Sequence, residues 1–253
     1  STVDGTLTAT ATAGNITQTG ALDIEGITTL VTLGAGADID LAANGTSNAF
    51  TRELLITTNE TGSDEDAHVS IDGGTTDLII GNSTIDGNLT LLGGGTITDT
   101  DGSTVTVKGT LTATTDQLNK IITLNDLAVD GAFTLDPDGT GAVTIVNDVN
   151  LNLAASTMGG TFSGTATTGD ISDSGNLAIT GAATFITAQA AQDIILDQAN
   201  AFTSHVTMKA GTGGALAFND ITFVDSAAVR LHSSAASAGD LFIDAGTNLA
   251  VGG

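Results

Sequence analysis

Along most of the chain, apolar side chains alternate with Thr, Asp, Ser or Asn in short runs, each closed by Gly or Asp. Ala21-Leu22-Asp23-Ile24-Glu25-Gly26, Asn88-Leu89-Thr90-Leu91, Ser103-Thr104-Val105-Thr106-Val107-Lys108-Gly109, Asp126-Leu127-Ala128-Val129-Asp130-Gly131 and Asn176-Leu177-Ala178-Ile179-Thr180-Gly181 are variants of one phrase. A period of two is the signature of strands, with two aliphatic side chains turned inward and hydroxyls or carboxylates outward. The expected inward pairs are Leu22/Ile24, Leu89/Leu91, Val105/Val107, Leu127/Val129, Val149/Leu151 and Leu177/Ile179. One stretch, Thr114 to Ile122, places Leu118, Ile121 and Ile122 at helical spacing. It is short, Thr-rich and flanked by strands, so a loop or single turn is expected there.

Strand centres recur irregularly: Val105, Leu127 and Val149 lie 22 residues apart, whereas Leu22 and Ile39 lie 17 apart. Stacked coils of about 20 residues absorb such scatter because insertions enter the turns and leave the strands in register. The pattern predicts an all-β chain, residues 1–253 forming a single right-handed parallel β-helix (β-solenoid) of about a dozen coils. Antiparallel β-sandwich repeats are the alternative and need hairpins. Asn44-Gly45 is the only Asn-Gly pair, but Asp-Gly recurs at Asp4, Asp72, Asp86, Asp101, Asp130 and Asp138.

An internal repeat strengthens the solenoid reading. Residues 5–43 align without a gap on 160–198, with 17 of 39 positions identical, and after a three-residue deletion Asn48-Ala49-Phe50-Thr51 matches Asn200-Ala201-Phe202-Thr203. The repeat thus spans 5–56 and 160–208. Its offset of 155 is close to seven coils of 22, so duplication keeps the coils in phase. Weaker echoes link Ser1-Thr2-Val3 and Gly5-Thr6-Leu7-Thr8-Ala9-Thr10 with Ser103-Thr104-Val105 and Gly109-Thr110-Leu111-Thr112-Ala113-Thr114. Others link Asp77-Leu78-Ile79-Ile80 and Asn88-Leu89-Thr90-Leu91 with Asp240-Leu241-Phe242-Ile243 and Asn248-Leu249-Ala250-Val251. The last coil of one molecule can therefore be followed by the first coil of another, and a head-to-tail homopolymer is expected. An excerpt from a longer repeat protein would carry the same echoes.

Composition fits a thin core. There are 8 Phe, no Tyr and no Trp, so a centre of aliphatic layers is expected, and 33 Gly with 1 Pro suit tight turns. Five basic residues against 29 acidic ones give a formal charge of −24, which repels nucleic-acid phosphates and anionic lipid and excludes nucleic acid as a partner. Most of that charge reads as a solvated acidic surface. Zero cysteines removes disulfides and thiol chemistry. No apolar run reaches the ~18 residues of a membrane span. The sequence opens at Ser1 with no charged-then-apolar leader, as expected of a processed form or an excised segment alike.

The phrases Gly14-Asn15-Ile16-Thr17-Gln18-Thr19-Gly20-Ala21-Leu22-Asp23-Ile24 and Gly169-Asp170-Ile171-Ser172-Asp173-Ser174-Gly175-Asn176-Leu177-Ala178-Ile179-Thr180-Gly181 resemble the repeats of filamentous-haemagglutinin-like exoproteins and other large bacterial β-strand-repeat surface adhesins. The resemblance is strongest over about 5–56 and 160–208. It implies a right-handed parallel β-helix, export and a role at the cell surface, with glycans or a host surface as what the adhesin would meet. That family's secretion domain carries Asn-Pro-Asn motifs, and none occurs here, so the resemblance is to shaft and carries over no binding residue. The segment Thr112-Ala113-Thr114-Thr115-Asp116-Gln117-Leu118-Asn119 also resembles phrases of phage fibre proteins.

Candidate chemistry is sparse. His68, His205 and His232 have no second His or Cys at ligand spacing. Paired carboxylates occur at Asp64-Glu65-Asp66, Asp99/Asp101 and Asp136/Asp138, and polysaccharide-cleaving β-helices use carboxylates on a solenoid face. Such clefts also offer aromatic platforms and basic residues, whereas Arg52, Lys108, Lys120, Lys209 and Arg230 are scattered. No catalytic residue and no cofactor site is assigned. Ca2+ is the one ion the oxygen-rich clusters suit, with Asp64, Glu65, Asp66, Asp136 and Asp138 as candidate ligands, although neither cluster matches an EF-hand or a Gly-Gly-x-Gly-x-Asp nonapeptide. The function expected from the sequence is structural: a secreted or cell-surface, non-enzymatic filament subunit or adhesin shaft. A polysaccharide-binding or -cleaving β-helix and a viral fibre segment are the alternatives.

Overall fold

The computed structural model describes residues 1–43, 47–59, 66–211, 219–236 and 239–251. Among them the chain forms thirty short strands and no α-helix. Each strand pairs in parallel with the strands one coil earlier or later, never with a hairpin neighbour. The result is a parallel β-solenoid. One ladder runs through Ile16–Thr17, Ile39–Leu41, Val69–Asp72, Leu89–Gly93, Leu111–Thr115, Ala132–Pro137, Leu151–Leu153, Ile171–Asp173, Ile194–Phe202, Ile221–Asp225 and Leu241–Ala245. Ten steps at about 4.8 Å make a stack of about 48 Å.

The solenoid has about ten turns, with coils longer than 20 residues on average. The step from Leu89 to Leu111 to Phe133 is 22 residues each time, but Ile39 to Val69 takes 30. Asp-Gly pairs turn a corner between faces instead of reversing the chain, which is why sandwich hairpins do not form. Gly102 and Gly139 take φ of +73° and +70° at such corners, and Gly131 stacks directly on Gly109. Residues 116–121 form a turn with Leu118 and Ile121 exposed, and Ile122 starts the next strand.

Five of the six expected inward pairs point into the core, with Leu22 half-buried at the first rung. Val149/Leu151 needs correction. Val105 pairs with Leu127 as the spacing predicts, but Leu127 then pairs with Asn147. A register shift between Leu124 and Leu127 leaves Val149 in a turn, and Leu151/Leu153 is the buried pair. Asn147, wholly buried, occupies the shifted position by accepting the Val129 N–H (2.8 Å) and donating to the Val129 carbonyl (2.9 Å). The core is also less purely aliphatic than composition suggested. Phe162, Phe185, Phe202 and Phe223 form a staircase with ring centroids 5.3, 6.0 and 5.2 Å apart through the later coils.

The internal repeat extends beyond its sequence match. Leu7–Ala11 corresponds to Phe162–Ala166 and Thr28–Thr32 to Ala183–Thr187, as the offset of 155 requires. Past the three-residue deletion the correspondence continues to Val69–Asp72 with Ile221–Asp225, Leu89–Gly93 with Leu241–Ala245, and Ile97–Asp99 with Leu249–Val251. The earlier echo of 77–80 in 240–243 is thus out of register: residues 89–91, not 78–80, are the structural counterparts of 241–243.

The duplication reaches individual hydrogen bonds. Asn48 Oδ1 accepts the Leu22 N–H and its amide donates to Gln18 Oε1 and the Asp72 carbonyl. Asn200 Oδ1 accepts the Leu177 N–H and its amide donates to Asp173 Oδ2 and the Val224 carbonyl. Thr32 bonds the Ala37 carbonyl as Thr187 bonds that of Gln192. A buried polar pair with every partner supplied fixes which rung sits on which, since a slipped coil would strand those groups without partners.

Candidate functional site

Many of the carboxylates and Asn side chains hold the stack together. At one corner, the side chain of the residue before most ladder strands accepts a backbone N–H from the coil above. Asn15 Oδ1 takes the Asp38 N–H (3.0 Å), and Asp38 Oδ1 takes that of His68 (2.8 Å). His68 Nδ1 takes the Asn88 N–H (3.0 Å), and Asn88 Oδ1 takes that of Thr110 (2.8 Å). The column resumes as Asn150, Asp170, Asp193 and Asp220, each accepting from the next, and ends among the described residues at Asp240. The net charge, read as a solvated acidic surface, does not reveal these bonds. The signal was present: an Asn or Asp directly precedes strand after strand.

A second group of carboxylates is buried. Asp99 Oδ2 accepts the Asn125 and Asp126 N–H groups (2.7 Å each), and Asp173 accepts those of Asp197 and Gln198 besides the Asn200 amide. Burial pushes the carboxyls of Asp72, Asp99, Asp173 and Asp225 above the usual range, against the pull of these donors. Asp116, Asp126 and Asp197 add repulsion at Asp72, Asp99 and Asp173 respectively.

Asp64 and Glu65 lie outside the described residues. Asp66 sits against the corner at Gly36, where an added Cβ would lie 2.9 Å from its Oδ2. Asp136 and Asp138 do come together, with Asp116, in an open cleft of about 550 Å³ whose other walls include Thr114, Thr157 and Thr180. Their backbone is already used, since the Asp138 N–H donates to the Thr115 carbonyl and its carbonyl accepts from Asn119. Asp99 and Asp101 do not act as a pair, because Asp99 is turned inward and Asp101 outward. Among the described residues no three or more His, Cys, Asp or Glu side chains converge on a point that could hold a metal ion. The rings of His205 and His232 lie edge to face at 5.8 Å on adjacent coils. Lys108 pairs with the buried Asp86 at 2.7 Å, which ties two neighbouring coils. No described helix is long and apolar enough to cross a membrane, a statement that leaves β-barrels untouched.

The surfaces that remain are the two end rungs. Among the described residues, Leu7–Ala11 pairs on one side only, with Thr28–Thr32, and Leu241–Ala245 on one side only, with Ile221–Asp225. At the first rung Leu7, Ala9, Ile16, Leu22, Leu30 and Leu41 line a cleft of about 260 Å³. At the last, Leu241 and Leu249 are 50% exposed and Val251 75%, although their counterparts Leu89 and Ile97 are buried. Interior rows of the core thus continue to both end rungs of the described stack. An edge of unpaired N–H and C=O groups beside an apolar row is a template for a further strand.

A search of curated proteins and a search of solved structures gave no match. A family of repeats of unknown function, DUF5649, matches three times, over residues 1–57, 66–139 and 140–209, which together make up most of the chain. Each match takes in three or four stacked rungs, so the family's repeat is a block of coils; this chain, which carries three of them in one uninterrupted ladder, belongs to the DUF5649 repeat family.

Proposed function

We propose that the chain is a length of structural shaft, non-enzymatic and displayed at a cell surface or secreted, which extends by end-to-end stacking of its rungs into a filament. The observation that supports this is the single in-register ladder of eleven parallel strands, with its core rows carried to both end rungs. A solenoid of this kind gains stability from each rung added to the stack, because every coil contacts only its neighbours. Its mechanism is mechanical: hydrogen bonds running along the axis resist extension, and side-chain columns hold the register. Surface display is supported by the resemblance of 5–56 and 160–208 to the repeats of filamentous-haemagglutinin-like adhesins. The open clefts carry no aromatic platform for a sugar, so a shaft is favoured over a carbohydrate-processing β-helix.

Negative-stain electron microscopy of concentrated chain, with light scattering alongside, tests the reading. Rods of constant width whose lengths are multiples of about 50 Å are expected. A strictly monomeric chain at high concentration, or turnover of a glycan in a broad panel, would overturn it.

A further inference from the structure

We infer that the joint between successive units has a defined register, in which Leu7–Ala11 of a second copy stacks on Leu241–Ala245, Leu7 over Leu241. This inference rests on the end-to-end reading and adds to it the residues that meet.

The first argument is what covers the counterpart of the last rung inside the molecule. Leu241–Ala245 is the structural equivalent of Leu89–Gly93, and on Leu89–Gly93 lies Leu111–Thr115, with Leu89 paired to Leu111, Leu91 to Ala113 and Gly93 to Thr115. The covering strand is introduced by Gly109-Thr110-Leu111-Thr112-Ala113-Thr114, and the first rung carries the same six residues as Gly5-Thr6-Leu7-Thr8-Ala9-Thr10. The strand that the exposed surface lacks is thus spelled out at the other end of the chain.

The side-chain columns agree with that placement at three positions. Inside, the Gly109 N–H donates to the Gly87 carbonyl at 3.1 Å, and an added Cβ on Gly109 would lie 2.7 Å from the Gly87 carbonyl carbon, so the covering residue must be glycine. At the joint the pair is Gly5 on Gly239. Inside, Asn88 Oδ1 accepts the Thr110 N–H; at the joint Asp240, the last member of the corner column, meets the Thr6 N–H. Inside, Leu111 buries Leu89; at the joint Leu7 covers Leu241, now half-exposed.

A second interior contact is similar in residue spacing and strand length. Leu7–Ala11 is duplicated as Phe162–Ala166, which stacks on Val143–Asn147 with Val143 opposite Phe162. Val143-x-Ile145 followed by Asn150-Leu151 has the spacing of Leu241-x-Ile243 followed by Asn248-Leu249, and the strands match in length at five and three residues. Leu7–Ala11 belongs to the 14-stranded sheet and Leu241–Ala245 to the 13-stranded one, so placing residue 7 on residue 241 turns the second copy by one face about the solenoid axis.

The occupant is a second copy of this chain, because its first rung supplies glycine, N–H donor and leucine in the order required. The register is read by cross-linking, since the chain has no cysteine of its own. Thr8 and Phe242 are outward-facing and exposed, and in the proposed register they are neighbours on adjacent parallel strands about 4.8 Å apart, within disulfide reach. The double variant Thr8→Cys/Phe242→Cys should give a ladder of oligomers on oxidation in a denaturing, non-reducing gel. Thr8→Cys/His232→Cys, which probes stacking of Leu7–Ala11 on the other exposed ladder, should stay monomeric in that gel. Filaments by microscopy with cross-links only in the His232 pair would overturn the register and leave end-to-end stacking intact. Absence of filaments in the unmodified chain would overturn both. As a second readout, Asp240→Ala should raise the concentration needed for assembly about tenfold, the loss of one charge-assisted hydrogen bond per joint, without changing the monomer's melting. Unchanged assembly by Asp240→Ala would count against the register.

Discussion

Gly36 and Ala191 occupy the same corner in the two halves of the duplication, with φ of +62° and +63°. The offset of 155 brings them into correspondence, and the corner keeps its left-handed turn although its residue has changed. Glycine takes that conformation without penalty, whereas an L side chain crowds its own carbonyl. The second half therefore carries a strain that the first half does not.

Replacing Ala191 with glycine should stabilise the chain by about 0.5–1 kcal/mol, the relief of a left-handed alanine less the extra freedom gained by the unfolded chain. The bond from the Ala191 N–H to Asn219 Oδ1 at 3.0 Å survives, because it uses the backbone. The reverse change, Gly36→Ala, should destabilise by about 1–3 kcal/mol, since the new Cβ is both strained and 2.9 Å from Asp66 Oδ2. Urea midpoints for the two variants, moving in opposite directions, check the correspondence.

Stability should rise as the solution is acidified from neutral pH. The carboxyls of Asp72, Asp99, Asp173 and Asp225 are held above their ordinary value, mainly by burial. A carboxyl raised on folding favours the folded state fully below its unfolded value near 3.8, and loses that contribution as pH climbs through the folded value. Ionising these raised carboxyls in the folded state carries a cost that protonation relieves, so melting temperature should increase as pH falls from 7 toward the ordinary carboxylate range. The net charge of −24 shrinks in the same range and acts in the same direction. Asp173→Asn should flatten the rise, because Gln18 shows that an amide fits the equivalent place beside Asn48. A melting temperature that falls on acidification would contradict the assignment.

The fold was legible because strand pattern and turn chemistry are local. Leu89/Leu91 and Leu177/Ile179 announce their faces in a few residues, and glycine marks the corner that follows. Register was legible only where sequence identity carried it, over 5–56 and 160–208. Farther along, Leu89–Gly93 and Leu241–Ala245 share a place in the ladder but little beyond Leu89/Leu241, so the equivalence shows only in three dimensions. Val149 was misread because a bulge two strands away sets its rung, and no local pattern reports that. Charge counted over a whole chain does not reveal that Asp38, Asp193 and Asp220, at the surface, each accept the N–H of a residue 20 to 30 positions on.

Gly109→Ala should be among the most damaging single-methyl additions. Its N–H and carbonyl link Gly87 below and Gly131 above at 3.1 and 3.0 Å, and the new Cβ would sit 2.3 Å from Asn88 Oδ1 as well as 2.7 Å from Gly87. Backbone cannot give way there without parting the coils. A loss of about 2–3 kcal/mol is expected, against about 0.5 kcal/mol or less for the same change at Gly20, where an added Cβ meets nothing within 4 Å. Equal melting of the two variants would show that the glycine column does not set the coil spacing.

Ile179→Asp tests how far a defect travels along the stack. Ile179 is buried with Met158 beneath it and Phe202 above, and Phe202 belongs to the Phe staircase. A carboxylate there has no buried donor waiting for it, so a cost above about 4 kcal/mol is expected, enough to open the coils that contact it. Because each coil touches only its neighbours, the loss should be local first. Hydrogen exchange should show protection lost across 156–210 while 69–115 keeps theirs. Uniform loss along the chain would mean that the solenoid folds as one indivisible block, and native-like protection around residue 179 would remove it from the core.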